Sequence, residues 1–366
     1  MKLLIERDQL LNLLIAVTSV VERRQTLPIL ANVLILLEAN TLTLVGTDLE
    51  VEASIEAEAL KGSDGQCTVA ARKLLDICRA LPEQATVELE TVDSRLKIRS
   101  GRSRFSLQTL AAVDFPRLET DNWEERVQLE QPVLRGLFEK TAFSMAQQDV
   151  RYFLNGVLLE LDGTTMVAVA TDGHRLARSR AVLPSPAGEH RQAIIPRKAV
   201  LELSRFLGDG GDEITIELNA NHARFSRPGA VLTTKLIDGK FPYYKAVMSQ
   251  VLSQKMVADR TLLHEVLART SVLTNEKYRG VRLDLSKGSL KVSAHNPDQE
   301  EASDEIAVEY GGENLEIGFN VTYLMDALRA MPTEQIEAEL EDVNSGCMLH
   351  VPGDEDTLYL IMPMRL

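Results

Sequence analysis

Asn32-Val33-Leu34-Ile35-Leu36-Leu37-Glu38, Gly156-Val157-Leu158-Leu159-Glu160-Leu161-Asp162 and Gly280-Val281-Arg282-Leu283-Asp284-Leu285-Ser286 are one β-strand pattern written three times. Val33, Val157 and Val281 stand at a constant spacing, since 157 − 33 and 281 − 157 are both 124. A second β-prone run follows each stretch: Leu42–Val45, Met166–Val169 and Leu290–Val292. Then come Thr47-Asp48, Thr171-Asp172 and His295-Asn296, still in phase. A second landmark also repeats. Lys73–Pro82, Ala199–Leu207 and Tyr323–Pro332 each read as an amphipathic helix, with Asp76/Arg79, Glu202/Arg205 and Asp326/Arg329 at matching places. In-phase matches at two separate landmarks predict three tandem domains, at 1–122, 123–250 and 251–366. The period is too long for a solenoid of small repeats.

Each copy opens with a helix-like stretch (Leu10–Val17, Val133–Ala142, Leu262–Ser271) and continues through a hairpin, the second helix and further alternating segments. Thr86–Leu89 with Leu96–Ile98, and Ile214–Leu218 with Ala223–Ser226, are examples of the last. The expected class is α+β, each domain two helices plus an antiparallel sheet.

The 366 residues carry 40 Lys and Arg against 54 Asp and Glu, a net charge of −14, with 45% hydrophobic residues. Such a chain is globular rather than disordered. Its acidity argues against a simple basic nucleic-acid binder but leaves room for local basic surface. Cys67, Cys78 and Cys347 are too scattered for a disulfide framework or a zinc site. No apolar run approaches the roughly 18 residues of a membrane span. Met1–Asp8 turns charged too early for a signal peptide. The expected compartment is a reducing cytoplasm, with no membrane partner.

Local basic surface is visible on the second helices. In the first copy Leu74, Leu75, Cys78 and Leu81 share one face and Arg72, Asp76 and Arg79 the other. In the second, Val200, Leu201 and Leu207 are set against Lys198, Glu202 and Arg205. Basic excess on equivalent helices of an acidic chain predicts a segregated field. The loops after the first helices add Arg23-Arg24-Gln25, Gln147–Tyr152 and Asn275–Arg279, where Arg and Tyr can hold phosphate or stack on bases.

No catalytic constellation is visible. Gly208-Asp209-Gly210-Gly211-Asp212 lacks the Lys and Ser/Thr of a phosphate loop, and the six histidines show no metal-ligand spacing. No Gly-x-Ser-x-Gly elbow occurs. Asp172-Gly173-His174-Arg175 reads as a tight turn with surface contacts. On these residues alone two other readings stay open: an enzyme using Asp172 and His174, and an acidic adaptor that never touches DNA.

Six stretches carry a specific resemblance: Thr26–Leu30, Gly46–Glu50, Ser100–Leu107, Asp149–Gly156, Ala170–Ala177 and the ending Met362–Leu366. Through them, and from end to end, the chain resembles the β sliding clamps of bacterial DNA polymerase III. The resemblance implies two chains joined head to tail in a closed six-domain ring around duplex DNA, without catalysis, cofactor or metal. Geometry agrees. Six helices at about 10 Å spacing line a circle with roughly 9 Å clear, too narrow for duplex DNA about 20 Å across, whereas twelve leave roughly 28 Å.

Three residue sets follow. Arg24, Arg72, Lys73, Gln148, Tyr152, Arg197, Lys198 and Arg205 are expected to face the DNA, through loose phosphate contacts without base readout. At the dimer seam, Phe105 and Leu107 share one strand face while Arg102 and Arg104 take the other. The resemblance sets them, with Lys73 and Arg95, against Val272, Leu273 and the acidic run Asp298, Glu300, Glu301, Asp304 and Glu305. It also gathers Leu154, Thr171, Gly173, His174, Arg175, Leu176, Pro242, Val247, Asn320, Tyr323, Met362, Pro363, Met364 and Arg365 into an apolar groove. Short peptide motifs of the replicative polymerase, an ATP-dependent clamp loader, other polymerases and repair proteins would dock there. Lys245-Ala246 is less basic than the pair the resemblance implies at the groove edge.

Overall fold

The computed structural model describes residues 1–22, 27–118, 122–249, 252–275 and 277–365. Seven helices form among them: α1 (Arg7–Val20), α2 (Ala71–Ala80), α3 (Gln131–Glu139), α4 (Arg197–Phe206), the single turn α5 (Lys245–Met248), α6 (Arg260–Thr270) and α7 (Val321–Ala330). Leu10, Leu13, Leu14 and Val17 bury one stripe of α1 at helical spacing. The last two helices begin two residues before the expected Leu262 and Tyr323 because of their caps. Asp259 accepts from Leu262 N at 2.8 Å, and Asn320 accepts from Thr322 N at 2.9 Å. On α4 the expected faces are partly exchanged: Leu201 is exposed and Glu202 is buried. Glu202 tolerates burial because Arg205, one turn on, donates to it at 2.7 Å.

The chain divides into two compact units. The first comprises residues 1–135, 183–188 and 198–236. Its described strands form one antiparallel series in the order 125–130, 213–218, 222–227, 230–235, 51–58, 41–47, 32–38, 65–70, 103–110, 95–100, 86–92, 2–6 and 61–63. The central joint pairs Val51 with Thr234 and Ile55 with Ala230. Ser103–Gln108 of strand 103–110 pair with 95–100 on one side. On its other side, among the described residues, only Thr109 and Leu110 reach 65–70, so Ser103–Gln108 present an open edge there.

The second unit comprises 136–182, 189–197 and 237–366. One sheet runs 191–196, 156–162, 165–171, 175–182, 357–361, 347–350, 335–340, 254–259 and 309–310. Its joint pairs Arg175 with Ile361 and Ser179 with Thr357. A second sheet, 301–307, 289–295, 280–286 and 315–320, leaves Glu301–Ala307 as an open edge among the described residues. Val266, Leu267, Val281, Leu290, Phe319 and Leu328 form the core between these strands and α6 and α7.

Close helix-on-sheet packing in the first unit needs a glycine. A Cβ on Gly46 would lie 2.5 Å from the carbonyl oxygen of Val17 on α1. Gly46→Ala is expected to cost roughly 1–3 kcal/mol by pushing α1 off the sheet, read as a lower midpoint in urea unfolding at unchanged slope.

Candidate binding surfaces

The Thr-Asp repeat builds a turn. Thr47 Oγ1 accepts from Leu49 N, and Asp48 Oδ1 from Glu50 N and Val51 N, at 2.7–3.1 Å. Thr171 and Asp172 do the same for Gly173, His174 and Arg175 at 2.9–3.1 Å. Asn296 holds Asp298 N and Glu300 N in the third copy. These are side-chain-capped turns of a kind Asp and Asn favour. Asp172 is thus committed to the turn and to Arg175 Nε, 3.0 Å away, and not poised beside His174 for catalysis.

Of the candidate DNA-facing residues, Arg24 lies outside the described residues. In the first unit Arg72 and Lys73 are exposed on α2 and Arg205 on α4. Arg72 and Arg205 line a cleft of about 510 Å³ together with Arg79, a basic residue absent from the expected set. Lys198 differs from expectation. Its ammonium contacts the buried carboxylate of Asp48 and lies 3.2 Å from Glu22. Its charge is locally balanced. In the second unit Gln148 and Tyr152 are exposed, and Arg197 is half-buried at the start of α4. The loop carrying Tyr152 is tied down by Asp149, which accepts from Arg151 Nε at 3.0 Å and Nη2 at 2.8 Å. That grip, with a backbone bond from Arg151, holds the Asp149 carboxyl at about 2. Gly173, at φ +90°, keeps the turn open for the Arg151 guanidinium, 3.0 Å from where a Cβ would stand.

The seam candidates occupy the two open edges. Phe105 and Leu107 stand opposite Ile98 and Leu96, so all four share one sheet face, and Phe105 is 36% exposed. Arg95, Arg102 and Arg104 are exposed, with Arg104 donating to the carbonyls of Gly101 and Ser103. In the second unit Val272 is 77% exposed just beyond α6, and Leu273 is half-buried. Asp298, Glu300, Glu301 and Glu305 are exposed. Asp304 already has a partner, Arg269 Nε at 2.7 Å, which lowers its pKa.

The groove candidates all belong to the second unit. Leu176 packs with Leu158, Val169, Ile194, Phe241, Tyr244 and Leu360, and Val247 lies against that cluster. Leu154 and Thr171 are buried beside exposed Gly173, His174 and Pro242. Arg175 is a hub, donating to Asp172, to Asp326 at 2.7 Å and to the Phe143 carbonyl at 2.6 Å. Its guanidinium lies 4.4 Å from the Tyr323 ring centroid. Asn320 caps the helix that presents Tyr323. Met362 N donates to the His174 carbonyl, which sets the tail beside the turn. Met364 and Arg365 line a hollow with Asn275, Tyr278, His295 and Asn296, and Met364 N donates to the Gly318 carbonyl. Pro363, between them, is half-buried.

One buried acid behind this cluster had no signal in the sequence. Glu160 is 1% exposed and accepts from Lys245 Nζ and Tyr244 Oη at 2.6 Å, with His190 Nε2 at 2.9 Å. Burial alone would raise its pKa, but these partners outweigh it and hold the carboxyl at about 2. Lys245, flagged by the Lys245-Ala246 departure, is the residue this acid holds.

The fold is a three-domain DNA-clamp fold. Family models for the N-terminal, central and C-terminal domains of the DNA polymerase III beta subunit match residues 1–119, 128–243 and 245–365. Beta sliding clamps of Pseudomonas putida and Escherichia coli are 48% and 43% identical, covering 99% and 100% of both chains. A crystal structure of the Pseudomonas aeruginosa DNA polymerase III subunit beta superposes with a TM-score of 0.97 at 47% identity, both chains fully covered. A Bartonella birtlesii clamp bound to griselimycin gives 0.95 at 34%. The chain belongs to the DNA polymerase III β-subunit family, the β sliding clamps. It is a non-catalytic DNA sliding clamp for that polymerase. Among the described residues no helix is long and apolar enough to cross a membrane.

Because the Glu160 carboxyl titrates lower in the folded chain than its ordinary 4.5, it stabilises the fold above pH 4.5. That contribution disappears as pH falls towards 2. Melting temperature should therefore drop more steeply between pH 4.5 and 2 in the wild type than in Glu160→Gln, as calorimetry across that range would record.

Proposed function

We propose that two chains close head to tail into a ring that encircles duplex DNA, and that the ring tethers the polymerase while sliding without sequence preference. The observation that carries this is a joint made twice. Val51–Ile55 pairs with Thr234–Ala230, and Arg175–Ser179, 124 residues further on, pairs with Ile361–Thr357 in the same register. The remaining copy of the first strand is Glu301–Ala307, and the remaining copy of the second is Ser103–Leu110. Those are the two open edges. Edge strands left unpaired are templates for another chain, and closure removes them.

Carrying the joint register across sets Ser103 opposite Asp304, Arg104 opposite Ser303, Phe105 opposite Ala302, and Arg102 opposite Glu305. The chemistry supports it. Each existing joint sets an alanine against a large apolar residue, Ala53 with Leu232 and Ala177 with Tyr359, and Ala302 with Phe105 continues the series. Leu107, Val272 and Leu273 add apolar area. The arginines facing the acidic strand mainly fix orientation. Within this reading the domains are 1–122, 123–250 and 251–366, each contributing two helices to the lining, and the site of action is the cytoplasm. Arg24, Arg72, Lys73, Gln148, Tyr152, Arg197 and Arg205 contact phosphate loosely, with Lys198 reduced to a structural ion pair. The Leu176–Val247 groove takes short apolar-anchored peptides of the polymerase, the ATP-dependent loader and repair proteins.

Arg104→Cys with Ser303→Cys should yield a covalent dimer on mild oxidation, since Cys67, Cys78 and Cys347 are buried. Trapped on a nicked circle it should stay bound through high salt, and be lost once the circle is cut. Crosslinking only at a register displaced by one residue, or retention on linear DNA, would refute the ring as drawn. Deleting Met362–Leu366 should weaken binding of a polymerase-tail peptide at least tenfold while sedimentation still reports a dimer, because the seam lies on other strands.

A further inference from the structure

We propose that Glu160 is a specificity-determining residue of the peptide groove: by holding the Lys245 ammonium it keeps the Phe241–Met248 wall electrically neutral, so the groove selects peptides by apolar anchors and not by charge. This rests on the groove reading above. Phe241 and Tyr244 belong to the buried cluster around Leu176 and Leu360, and Val247 and Met248 pack on it. The wall between them is the single turn α5, whose four residues make too short a helix to hold its own shape. Besides that packing, Tyr244 Oη and Lys245 Nζ tie it to the body, one on each oxygen of Glu160. The strand carrying Glu160 is fixed on both sides, Glu160 being opposite Val167 and Gln192.

Charge is the part that reaches the ligand. Lys245 is about half exposed, at 49%, yet its nitrogen sits 2.6 Å from a carboxylate that is 1% exposed. A lysine so placed offers the surface its methylenes and little field. His190, 51% exposed, lies on the same oxygen as Lys245, at 2.9 Å. Replacing Glu160 with Gln keeps the shape and an acceptor for Tyr244, but removes the charge. Lys245 then has no anion and swings free at the groove edge, where it attracts acidic residues flanking a peptide's anchors.

The test is a pair of peptides with identical apolar anchors, one flanked by two Asp and one by two Asn, titrated against full-length wild type, Glu160→Gln and Glu160→Gln/Lys245→Ala. Wild type should bind both within about twofold. Glu160→Gln should prefer the acidic peptide by roughly five- to tenfold at low salt, with the preference fading at high salt. The double variant should return to near parity. Circular dichroism and sedimentation confirm folded dimer in each case. A preference that stays at parity in Glu160→Gln, with both peptides binding, overturns this inference while leaving the groove intact. Failure of wild type to bind either peptide overturns the groove itself. A purely structural role for Glu160 would weaken both peptides equally and would also refute the proposal.

Discussion

Strand-to-strand backbone pairing between successive copies is the constraint on which everything else depends. Side-chain contact alone would let domains rock. A ladder of N–H and C=O groups fixes translation and twist together, because a one-residue slip would turn every side chain to the wrong face. Val51–Ile55 on Thr234–Ala230 and Arg175–Ser179 on Ile361–Thr357 apply that lock twice with the same register. The consequence is arithmetical. Three copies joined in series by one kind of joint leave one copy of each joint strand, Glu301–Ala307 and Ser103–Leu110, without that joint among the described residues.

The turn that precedes the joint strand was copied with it and then put to a different use. In the first copy Asp48 shapes the turn and accepts the Lys198 ammonium. In the second, Asp172 shapes the same turn and steers Arg175, which spans Phe143, Asp326 and Tyr323. One backbone device thus gives a structural ion pair in one place and the rigid floor of a candidate binding groove in another.

Electrostatics is organised by pairing as much as by location. A chain of net charge −14 that handles a polyanion must place its cations with care. Two lysines that look available in the sequence, Lys198 and Lys245, are each held by a buried carboxylate. Arg72, Arg79 and Arg205 line one cleft, Arg205 paired to Glu202 on the same helix and Arg79 close to Asp76.

Much of this was legible in the residues themselves. The 124-residue period, the period-2 strands such as Leu3/Ile5 and Leu96/Ile98, the helix stripes and the family-specific runs all depend on local order, and local order is what a sequence displays. What only the tertiary structure decided are matters of long-range pairing. Lys198 meets Asp48 across 150 residues and Lys245 meets Glu160 across 85, so neither neutralisation has a local signature. Glu202 is buried and Leu201 exposed because the packing around α4 overrode the helical wheel by one position. Met364 N bonds the Gly318 carbonyl, a contact with no local signature either. Hydrophobic periodicity reports which face is apolar; which charge finds which partner is decided by the folded geometry, where a few ångströms separate a free cation from a silent one.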